Sequence, residues 1–490
     1  MSSKKSPAKC PGPSIATSRR DFLQRGGMGF GSLALASMLA GDAATSSSQA
    51  AMPGHQLPFN PLAKKPAYWK APAKSVIFLF MAGGPSQVET FDPKPMLQKL
   101  HGKPVPEQLG SVQTQRTTEK SLLLGSKRTF RKCGQSGLEI SDLFPHLATC
   151  ADELAVVRSM YADSVVHAPA LYQMNTGRTL MGHPSLGSWV LYGLGSESEN
   201  LPAYVVMPDP DGPVLGGPPC WGAGYFPQVY QGTLFRSGPA PILNLQAAGN
   251  RTHLRQRHNL DLLKQLNNLH RHEHDTALSA RAANYELAFR MQSHAPEAID
   301  LSQETMSTQA LYGINHPRTE EFGRRCLLAR RLVERGVRFV QLYCGGGPAN
   351  LTWDAHSDIE ENHLRMAGHS DKPIAGLLQD LKRRGMLDDT LVIWGGEFGR
   401  TPMSERNVGR DHSPFGFSMW LAGGGVRGGT TVGATDDIGL HAVDKPHHVR
   451  DLHATILHQL GLDQDQLTYV HNGREEKLTD TGGQVIQEIV

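Results

Sequence analysis

Residues 75–81 read Ser-Val-Ile-Phe-Leu-Phe-Met, a continuous apolar run of strand length that ends at the glycine-rich turn 83–86. Strands without an alternating polar face are buried on both sides, which is typical of a parallel sheet. Similar runs recur along the chain, at residues 154–157, 204–207, 337–343, 391–394 and 418–422. The sequence therefore predicts a largely parallel sheet at the centre of the protein.

Amphipathic helical patterns lie between these runs. They cover Phe322–Arg335, Ile374–Gly385 and Asp451–Leu460. The second pattern closes on a glycine, as helices commonly do. Strands that alternate with helices predict an α/β fold, a doubly wound sheet with helices on both faces. In such folds the chemistry lies at the carboxyl ends of the strands, so the segments that follow the apolar runs are the place to look for a site.

The composition narrows the classes of function. The chain of 490 residues has a formal net charge of +3, and much of its basic excess lies near the N-terminus. No stripe of Arg and Lys with interleaved aromatic residues occurs, so nucleic acid is not expected as a partner. The cysteines after residue 10 are scattered without a Cys-x-x-Cys pair. Neither a disulfide framework nor a zinc ribbon is therefore predicted.

Residues 1–44 have the features of a twin-arginine export signal. An arginine pair, a glycine-diluted apolar run and a small-residue stretch follow one another at 19–20, 26–40 and 41–44. A membrane-spanning helix needs about 20 apolar residues, and this run is shorter. The alternative reading is a chance arginine pair beside a short anchor. We expect export by the twin-arginine translocase to the periplasm or the extracellular space, with no stable membrane span in the mature chain.

The remaining chain divides into a linker and one domain. Residues 45–74 are rich in Ser, Ala, Pro and Lys and are predicted to be the linker, while 75–490 can bury a large core. The stretch 253–294 inside this domain is polar, helical and rich in histidine. His270 and His274 could share a helix face as metal ligands, because they are four residues apart. The broader prediction for this stretch is a solvated helical hairpin.

Two segments that follow strands carry residue types that bind metals. Asp354 and His356 follow the run at 337–343, and Glu397 follows the run at 391–394, shortly before Asp411 and His412. Carboxylates and imidazoles together suit a divalent ion, zinc or manganese better than calcium alone. The alternative is that these residues form ion pairs and caps that tie loops together. We expect all five to hold one or two divalent ions.

Three further residues are candidates for catalysis. Arg400 can bind an anionic oxyacid through its forked guanidinium. His167 precedes a helical stretch, and a helix N-terminus disfavours imidazole protonation and favours anions. It is a candidate metal ligand, base or nucleophile, with capping or packing as the structural alternative. Ser86, in the glycine-rich turn after the first strand, is the other candidate nucleophile.

Several segments resemble a known family when taken together. Residues 390–399, Thr-Leu-Val-Ile-Trp-Gly-Gly-Glu-Phe-Gly, resemble the late segment of sulfatases, and 451–461 resembles the helix that follows it. The Gly-Gly-Pro-Ser and Phe-Asp-Pro-Lys-Pro motifs, the Glu-Phe-Gly-Arg-Thr-Pro tip and the Gly-Arg-Asp-His loop are similar to those of one bacterial family. It is the twin-arginine-exported, sulfatase-like family of unknown function (DUF1501) in the alkaline phosphatase superfamily. The resemblance covers nearly all of the mature chain and implies that superfamily's fold.

The sequence departs from sulfatases at positions on which their chemistry depends. Gly83 and Gly84 stand where sulfatases carry two aspartate metal ligands, and His167 stands at the place of their nucleophile. Leu171 replaces the arginine of the sulfatase signature, and Phe398 replaces the histidine beside the late carboxylate. The usual sulfatase mechanism therefore cannot operate. Either the site has been rebuilt, or it no longer catalyses.

The expected function is metal-dependent hydrolysis of an anionic ester, a sulfate or a phosphate, on a small molecule or a glycan. The ion would activate a water or hydroxyl nucleophile and offset the charge of the transferred group. The alternative is a non-catalytic module with a sulfatase fold that binds sulfated glycans or an envelope partner. The glycine pair at 83–84 favours that alternative, because it removes two ligands that sulfatases use.

Overall fold

The computed structural model describes residues 60–107, 114–116, 121–238, 240–246, 252–270, 276–406, 408–480 and 482–490. The predicted export signal (1–44) and the linker up to residue 59 lie outside the described residues. Strands β1 to β17 cover, in chain order, Ser75–Met81, Phe130–Cys133, Leu138–Ser141, Leu154–Tyr161, Tyr204–Met207, Thr233–Leu234, Phe339–Cys344, Thr390–Gly395, Gly399–Glu405, Gly409–Ser413, Phe417–Ala422, Thr430–Val432, Ala434–Thr435, Ala442–Asp444, His447–His448, Tyr469–His471 and Arg474–Glu476. Helices α1 to α10 cover Gln87–Thr90, Pro95–Lys99, His167–Thr176, Leu186–Leu194, His253–His270, Thr276–Ile299, Met306–Leu311, Glu320–Glu334, Ile359–Arg383 and Val449–Gln459.

The main sheet has the strand order β12-β4-β11-β8-β1-β7-β5-β6, and β15 also pairs with β4. Strand β1 lies in the middle and pairs in parallel with β7 on one side and β8 on the other. In the register of these pairs Leu79 lies opposite both Leu342 and Trp394. Strand β11 is antiparallel to its neighbours β4 and β8. All six apolar runs therefore form strands of this sheet, and the prediction of a largely parallel sheet is confirmed.

Helices cover both faces of the sheet. Successive side chains of β1 point to opposite faces, and each set packs against a different group of helices. Ile77 and Leu79 belong to one buried cluster, together with residues of α8 and α9 such as Leu327 and Leu377. Phe78 belongs to a second cluster, together with residues of α3, α4 and α10. Burying one leucine side chain contributes about 1.5–3 kcal/mol, so two such layers hold the sheet rigidly. The doubly wound α/β prediction is confirmed.

Residues 60–74, predicted as linker, pack on this core. The backbone N–H of Ala73 donates to the Gln459 carbonyl over 2.9 Å, and that of Lys65 donates to the Leu194 carbonyl over 2.9 Å. The compact unit accordingly runs from Phe59 to Val490. Composition alone gives no sign of these backbone contacts, which join the end of the predicted linker to the core of the predicted domain.

Two elements differ from the patterns read in the sequence. Helix α9 begins at Ile359 and continues through Pro373, whereas the pattern predicted a start at Ile374. Asp358 caps it by accepting a hydrogen bond from the Glu361 N–H over 3.1 Å. The segment after β8, predicted as loops, forms the antiparallel hairpin β9–β10. Both corrections lie beside the strand ends where the candidate residues are found.

The polar insertion contains the two helices α5 and α6. Arg257 on α5 binds both carboxylate oxygens of Glu286 on α6, each over 2.7 Å. Residues 271–275, which include His274, lie outside the described residues, so the predicted ligand pair of His270 and His274 stays a prediction. Among the helices that the structure describes, no segment is long and apolar enough to cross a membrane.

Candidate metal centre

Four parallel strands end at one edge of the sheet, and each leads to a residue singled out in the sequence. Strand β1 leads to Gly83, β4 to His167, β7 to the loop with Asp354 and His356, and β8 to Glu397. The β9–β10 hairpin that follows β8 adds His412, which lies on β10. The fold therefore brings together segments that are more than 200 residues apart in the sequence.

Three imidazoles converge on the carboxylate of Asp354. Its Oδ1 lies 3.0 Å from His356 Nε2 and 3.1 Å from His412 Nε2, and its Oδ2 lies 3.3 Å from His167 Nε2. Ligand atoms of these four residues all lie within 4.8 Å of one another. The side chains of His167 and His356 are each 11% exposed, so solvent reaches part of the cluster. The group has the size and the donor types of a metal site.

The tautomer of His412 makes room for a cation in this cluster. Its Nδ1 lies 2.8 Å from the carbonyl oxygen of Val165, which can only accept, so Nδ1 carries the proton. Burial lowers the pKa of His412 to about 3, so Nε2 is unprotonated at neutral pH. The lone pair of Nε2 then faces the Asp354 carboxylate, which is unfavourable unless a cation lies between the two atoms.

The other two imidazoles are held from behind by carboxylates. Nδ1 of His167 lies 2.7 Å from Glu397 Oε1, and Nδ1 of His356 contacts Glu405 Oε2. Glu397 also accepts the Gly83 N–H over 3.0 Å. A metal-binding histidine commonly donates its outer N–H to a carboxylate or a carbonyl. All three histidines of the cluster show this arrangement.

His167 Nε2 is buried and has no hydrogen-bond partner of good geometry, although Asp354 Oδ2 is near. Burial lowers the pKa of His167, but the Asp354 and Glu397 carboxylates outweigh this effect and raise it to about 9. Without a metal ion the ring is therefore protonated at neutral pH. A metal ion at the cluster would take the place of this proton.

The buried charges also favour a divalent cation. Burial would raise the pKa of Asp354, but Arg400 and the three imidazoles hold it well below its ordinary value. Buried carboxylates without counter-charges are strongly destabilising, and only two arginines, Arg400 and Arg410, lie fully buried beside this group in the described chain. The five buried carboxylates of the region belong to Glu89, Asp354, Glu397, Glu405 and Asp411.

Arg400 lies inside the site, but its guanidinium donates all of its described hydrogen bonds to acceptors of the protein itself. It donates from Nε to the Gly84 carbonyl over 3.0 Å, from Nη1 to the Arg410 carbonyl over 3.2 Å and from Nη2 to Asp354 Oδ1 over 2.6 Å. Nη2 also donates to the Gly83 carbonyl. With four acceptors bound and no exposed surface, Arg400 is placed to fix loops. This geometry does not favour the predicted role as an oxyanion clamp.

Ser86 is likewise committed to the protein. It is fully buried, and its hydroxyl donates to Glu89, which pairs with Arg410 over 2.7 Å. Its backbone N–H donates to His363 Nε2 over 2.9 Å. This arrangement favours a structural role for Ser86 over the predicted role as nucleophile.

The five predicted metal ligands separate into two groups. Asp354, His356 and His412 lie in the cluster, whereas Glu397 lies behind His167. Asp411 is fully buried and accepts the backbone N–H groups of His412 over 2.8 Å and of Arg116 over 2.5 Å. A second group of potential ligands consists of His356, Glu405 and Asp411. His167, predicted as a catalytic residue, takes the fourth position of the first group.

The glycine pair after β1 is explained by what packs against it. A Cβ on Gly83 would lie 2.5 Å from the Asp354 backbone N, and one on Gly84 would lie 2.6 Å from the Phe398 ring. The Phe398 ring centroid lies 5.0 Å from that of His167 and 4.5 Å from that of His412. The space that aspartate side chains would need is therefore filled by the loop with Asp354 and by Phe398, which shields two imidazoles from water.

Sequence reasoning missed Glu405 and the Val165 carbonyl. Glu405 stands in an ordinary Ser-Glu-Arg context at the end of β9, and a backbone carbonyl leaves no trace in a sequence. The β9–β10 pairing brings Glu405 to His356. A prediction of that hairpin would have been the only signal for it.

Comparison with curated protein sequences gives no match. Among solved structures, the chain is similar to the phosphonate monoester hydrolase SpPMH from Silicibacter pomeroyi. The two sequences are 12% identical, the TM-score is 0.31, and the match covers 70% of this chain and 71% of the other. It is also similar to a protein of the alkaline phosphatase superfamily from Vibrio parahaemolyticus, with 11% identity, TM-score 0.34 and coverages of 88% and 75%. A third similar structure is a TAB5 alkaline phosphatase mutant with Mg bound in the M3 site, with 11% identity, TM-score 0.34 and coverages of 80% and 99%.

A family model covers the domain described above almost completely. It begins just before β1, at residue 73, and extends to the last residue of the chain. Its description is "Protein of unknown function (DUF1501)", and since residues 73–490 match it, the chain belongs to this family.

Proposed function

We propose that this protein is an exported, metal-dependent hydrolase of an anionic ester, a sulfate or a phosphate. The observation that carries the proposal is the convergence of three imidazoles on Asp354, each with its outer nitrogen already fixed. This arrangement lowers the stability of the fold unless an ion binds there, because it buries lone pairs and charges close to one another. The arginine pair near the N-terminus supports the export part of the proposal.

The proposed ion is bound by His167, Asp354, His356 and His412. Three nitrogen donors and one oxygen donor suit zinc best and manganese second, whereas calcium and magnesium prefer oxygen alone. A bound divalent ion supplies an activated water and offsets negative charge on the group being transferred. Glu397, Glu405 and the Val165 carbonyl hold the imidazoles so that their Nε2 atoms point inward. Phe398 excludes water from one side of the group.

An anionic substrate is proposed for two reasons. Helix α3 begins at His167, so its positive end lies at the site, and helix N-termini favour anionic groups. The segments around Glu397 and His167 also resemble those of sulfatases, as described above. Asp354 supplies a carboxylate from the loop after β7, whose backbone packs against Gly83, so the loss of the aspartate pair is compatible with a working site.

The proposal is tested by measuring bound metal, melting temperature and hydrolysis of aryl phosphate and aryl sulfate esters on one set of proteins. We expect wild-type protein purified without chelator to carry about one ion per chain, as a single four-ligand group allows. His412→Ala and His167→Ala should each lower bound metal and abolish turnover while the domain stays folded.

Asp92→Asn is the matched control for these variants. Asp92 is as buried as the site residues, but it pairs with Lys94 over 3.0 Å and with Thr435. The control should keep its metal even if it loses stability. Metal-free wild-type protein that hydrolyses neither ester would instead support the alternative, a non-catalytic module that binds sulfated glycans or an envelope partner.

A further inference from the structure

We infer that Glu405 is a positioning residue that makes His356 a stronger metal donor than His412 and thereby raises the affinity of the site for a transition-metal ion. The inference rests on the metal centre of the proposed function and assigns a role to a residue outside the four-ligand group. Glu405 is the last residue of β9 and is 7% exposed.

The contacts of His356 define what Glu405 does. Glu405 Oε2 contacts His356 Nδ1, and the opposite ring nitrogen, Nε2, lies 3.0 Å from Asp354 Oδ1. Carboxylate oxygens accept hydrogen bonds, so this contact favours the tautomer of His356 with its proton on Nδ1. This leaves the Nε2 lone pair free to bind an ion, and the negative charge behind the ring raises the basicity of that lone pair.

His412 provides an internal comparison, because its outer nitrogen meets a neutral partner. Nδ1 of His412 donates to the Val165 carbonyl over 2.8 Å, which fixes the same tautomer without adding charge. His356 and His412 lie side by side, with ring centroids 4.6 Å apart. The two ligands thus differ in the partner behind them, a carboxylate for His356 and a neutral carbonyl for His412, which makes His356 the more electron-rich donor.

The β9–β10 hairpin also holds the backbone beside His356. The Arg410 N–H on β10 donates to the Ala355 carbonyl over 2.9 Å. A Cβ on Gly409 would lie 2.0 Å from the His356 carbonyl oxygen, so the hairpin packs directly against this loop. The backbone is therefore positioned by β10, and the ring is oriented by Glu405 of β9. Replacing Glu405 can change the ring's chemistry without releasing the loop.

Glu405→Gln separates charge from geometry. The glutamine oxygen can still accept the Nδ1 proton, whereas the negative charge is lost. We expect zinc affinity, measured by competition with a chromophoric chelator, to fall about 10–100-fold, the usual effect of changing a residue that hydrogen-bonds a metal ligand. The visible absorption of the cobalt-substituted protein should also shift, because the donor strength of one ligand changes. Asp92→Asn, which removes a buried carboxylate elsewhere, should leave both readouts at wild-type values.

Several outcomes would overturn the inference. One is a Glu405→Gln variant that stays folded and has the zinc affinity and cobalt spectrum of the wild type. Another is an equal loss of affinity in Asp92→Asn, which would show a general effect of removing buried charge. Wild-type protein that binds neither zinc nor cobalt would overturn both this inference and the proposed function. Tight zinc binding without ester hydrolysis would contradict the proposed function alone, since affinity and spectrum are measured without substrate.

Discussion

At the scale of single residues, Asp354 determines how the candidate site works. Its Oδ1 lies close to Arg400, His356 and His412 at once, and its Oδ2 faces His167. This carboxylate faces the lone pair of His412 Nε2, because the outer nitrogen of that ring already carries its proton. One cation bound by all four side chains would remove this unfavourable contact. The number of protons that the histidines release when the cation binds can then be measured.

Zinc binding at pH 7 should release about one proton per ion, because metal ligands must be deprotonated. The pKa of His167 is raised to about 9, so its ring is protonated at pH 7 and must lose a proton. The pKa of His412 is lowered to about 3, so its ring is already neutral and contributes none. Calorimetry in buffers of different ionisation enthalpy measures this release.

The sign of the pH dependence follows from the same shift. Zinc affinity should rise with pH as His167 loses its proton, and it should level off above about pH 9. His167→Ala should abolish the proton release along with most of the affinity. Binding without proton release at pH 7 would show that His167 is not a ligand.

Single residues were predictable where a strand leads directly to them. Asp354, His356 and His412 were assigned as ligands because they lie in the segments that come after two apolar runs, and the structure places all three in the cluster. Glu397 was singled out by the same rule, but it lies one step behind, since an imidazole occupies the space between it and Asp354. Glu405 carried no local signal, because its role depends on a pairing between β9 and β10.

At the scale of elements, the turn after β1 and the loop after β7 fit together without side chains between them. Gly83 adopts φ +107 and Gly84 adopts φ +80, in a backbone region that glycine occupies at little cost. The absent Cβ atoms allow the backbone of the Asp354 loop and the Phe398 ring to pack closely. This close approach sets the position of the Asp354 carboxylate.

Gly83→Ala should therefore disrupt the site as well as the backbone. A Cβ there would lie 2.5 Å from the Asp354 backbone N, which forces the loop to move. We expect loss of bound metal together with a lower melting temperature. Gly102→Ala is the matched control, because Gly102 has φ +77 and nothing within 4 Å of its Cβ position.

The control should show only the cost of the left-handed backbone, roughly 1–2 kcal/mol, with metal binding intact. Equal effects of the two substitutions would mean that the position of the Asp354 loop does not depend on this contact. Metal content and thermal unfolding of the two variants decide between these outcomes.

An element could be predicted from the sequence when a short run of apolar residues indicates that it is buried. The six apolar runs all form strands of the main sheet, because a strand covered on both faces must be apolar throughout. The hairpin β9–β10 was missed, since its buried residues include Arg400, Arg410 and Asp411, whose polarity is satisfied by partners distant in the chain. The first half of α9 was missed because Pro373 reads as a helix start, although the helix continues through it.

At the scale of the whole molecule, the proposed export depends on the arginine pair at residues 19–20. Arg19→Lys with Arg20→Lys should leave the precursor in the cytoplasm, because the translocase reads the arginine pair. Fractionation with an antibody against the chain measures the distribution. Lys4→Arg with Lys5→Arg, which keeps the charge and leaves the pair intact, serves as the control. Unchanged export of the double lysine variant would contradict the proposed localisation.

Removing the proposed metal ion should weaken the whole fold, because the four proposed ligands come from three separate segments of the chain. His167 follows β4, Asp354 and His356 follow β7, and His412 lies on β10, so one ion bound by all four would link these segments. An ion present at 1,000 times its dissociation constant stabilises the native state by about 4 kcal/mol. We expect a chelator to lower the melting temperature of the wild type and added zinc to restore it.

The His412→Ala variant separates this effect from a direct action of the chelator. It lacks a ligand, so its melting temperature should be close to that of the chelated wild type, and neither chelator nor zinc should change it further. If the wild type melts at the same temperature with and without chelator, the buried carboxylates are balanced by protons and arginines alone. In that case the three imidazoles have a structural role, and the metal centre proposed for this sheet edge does not exist.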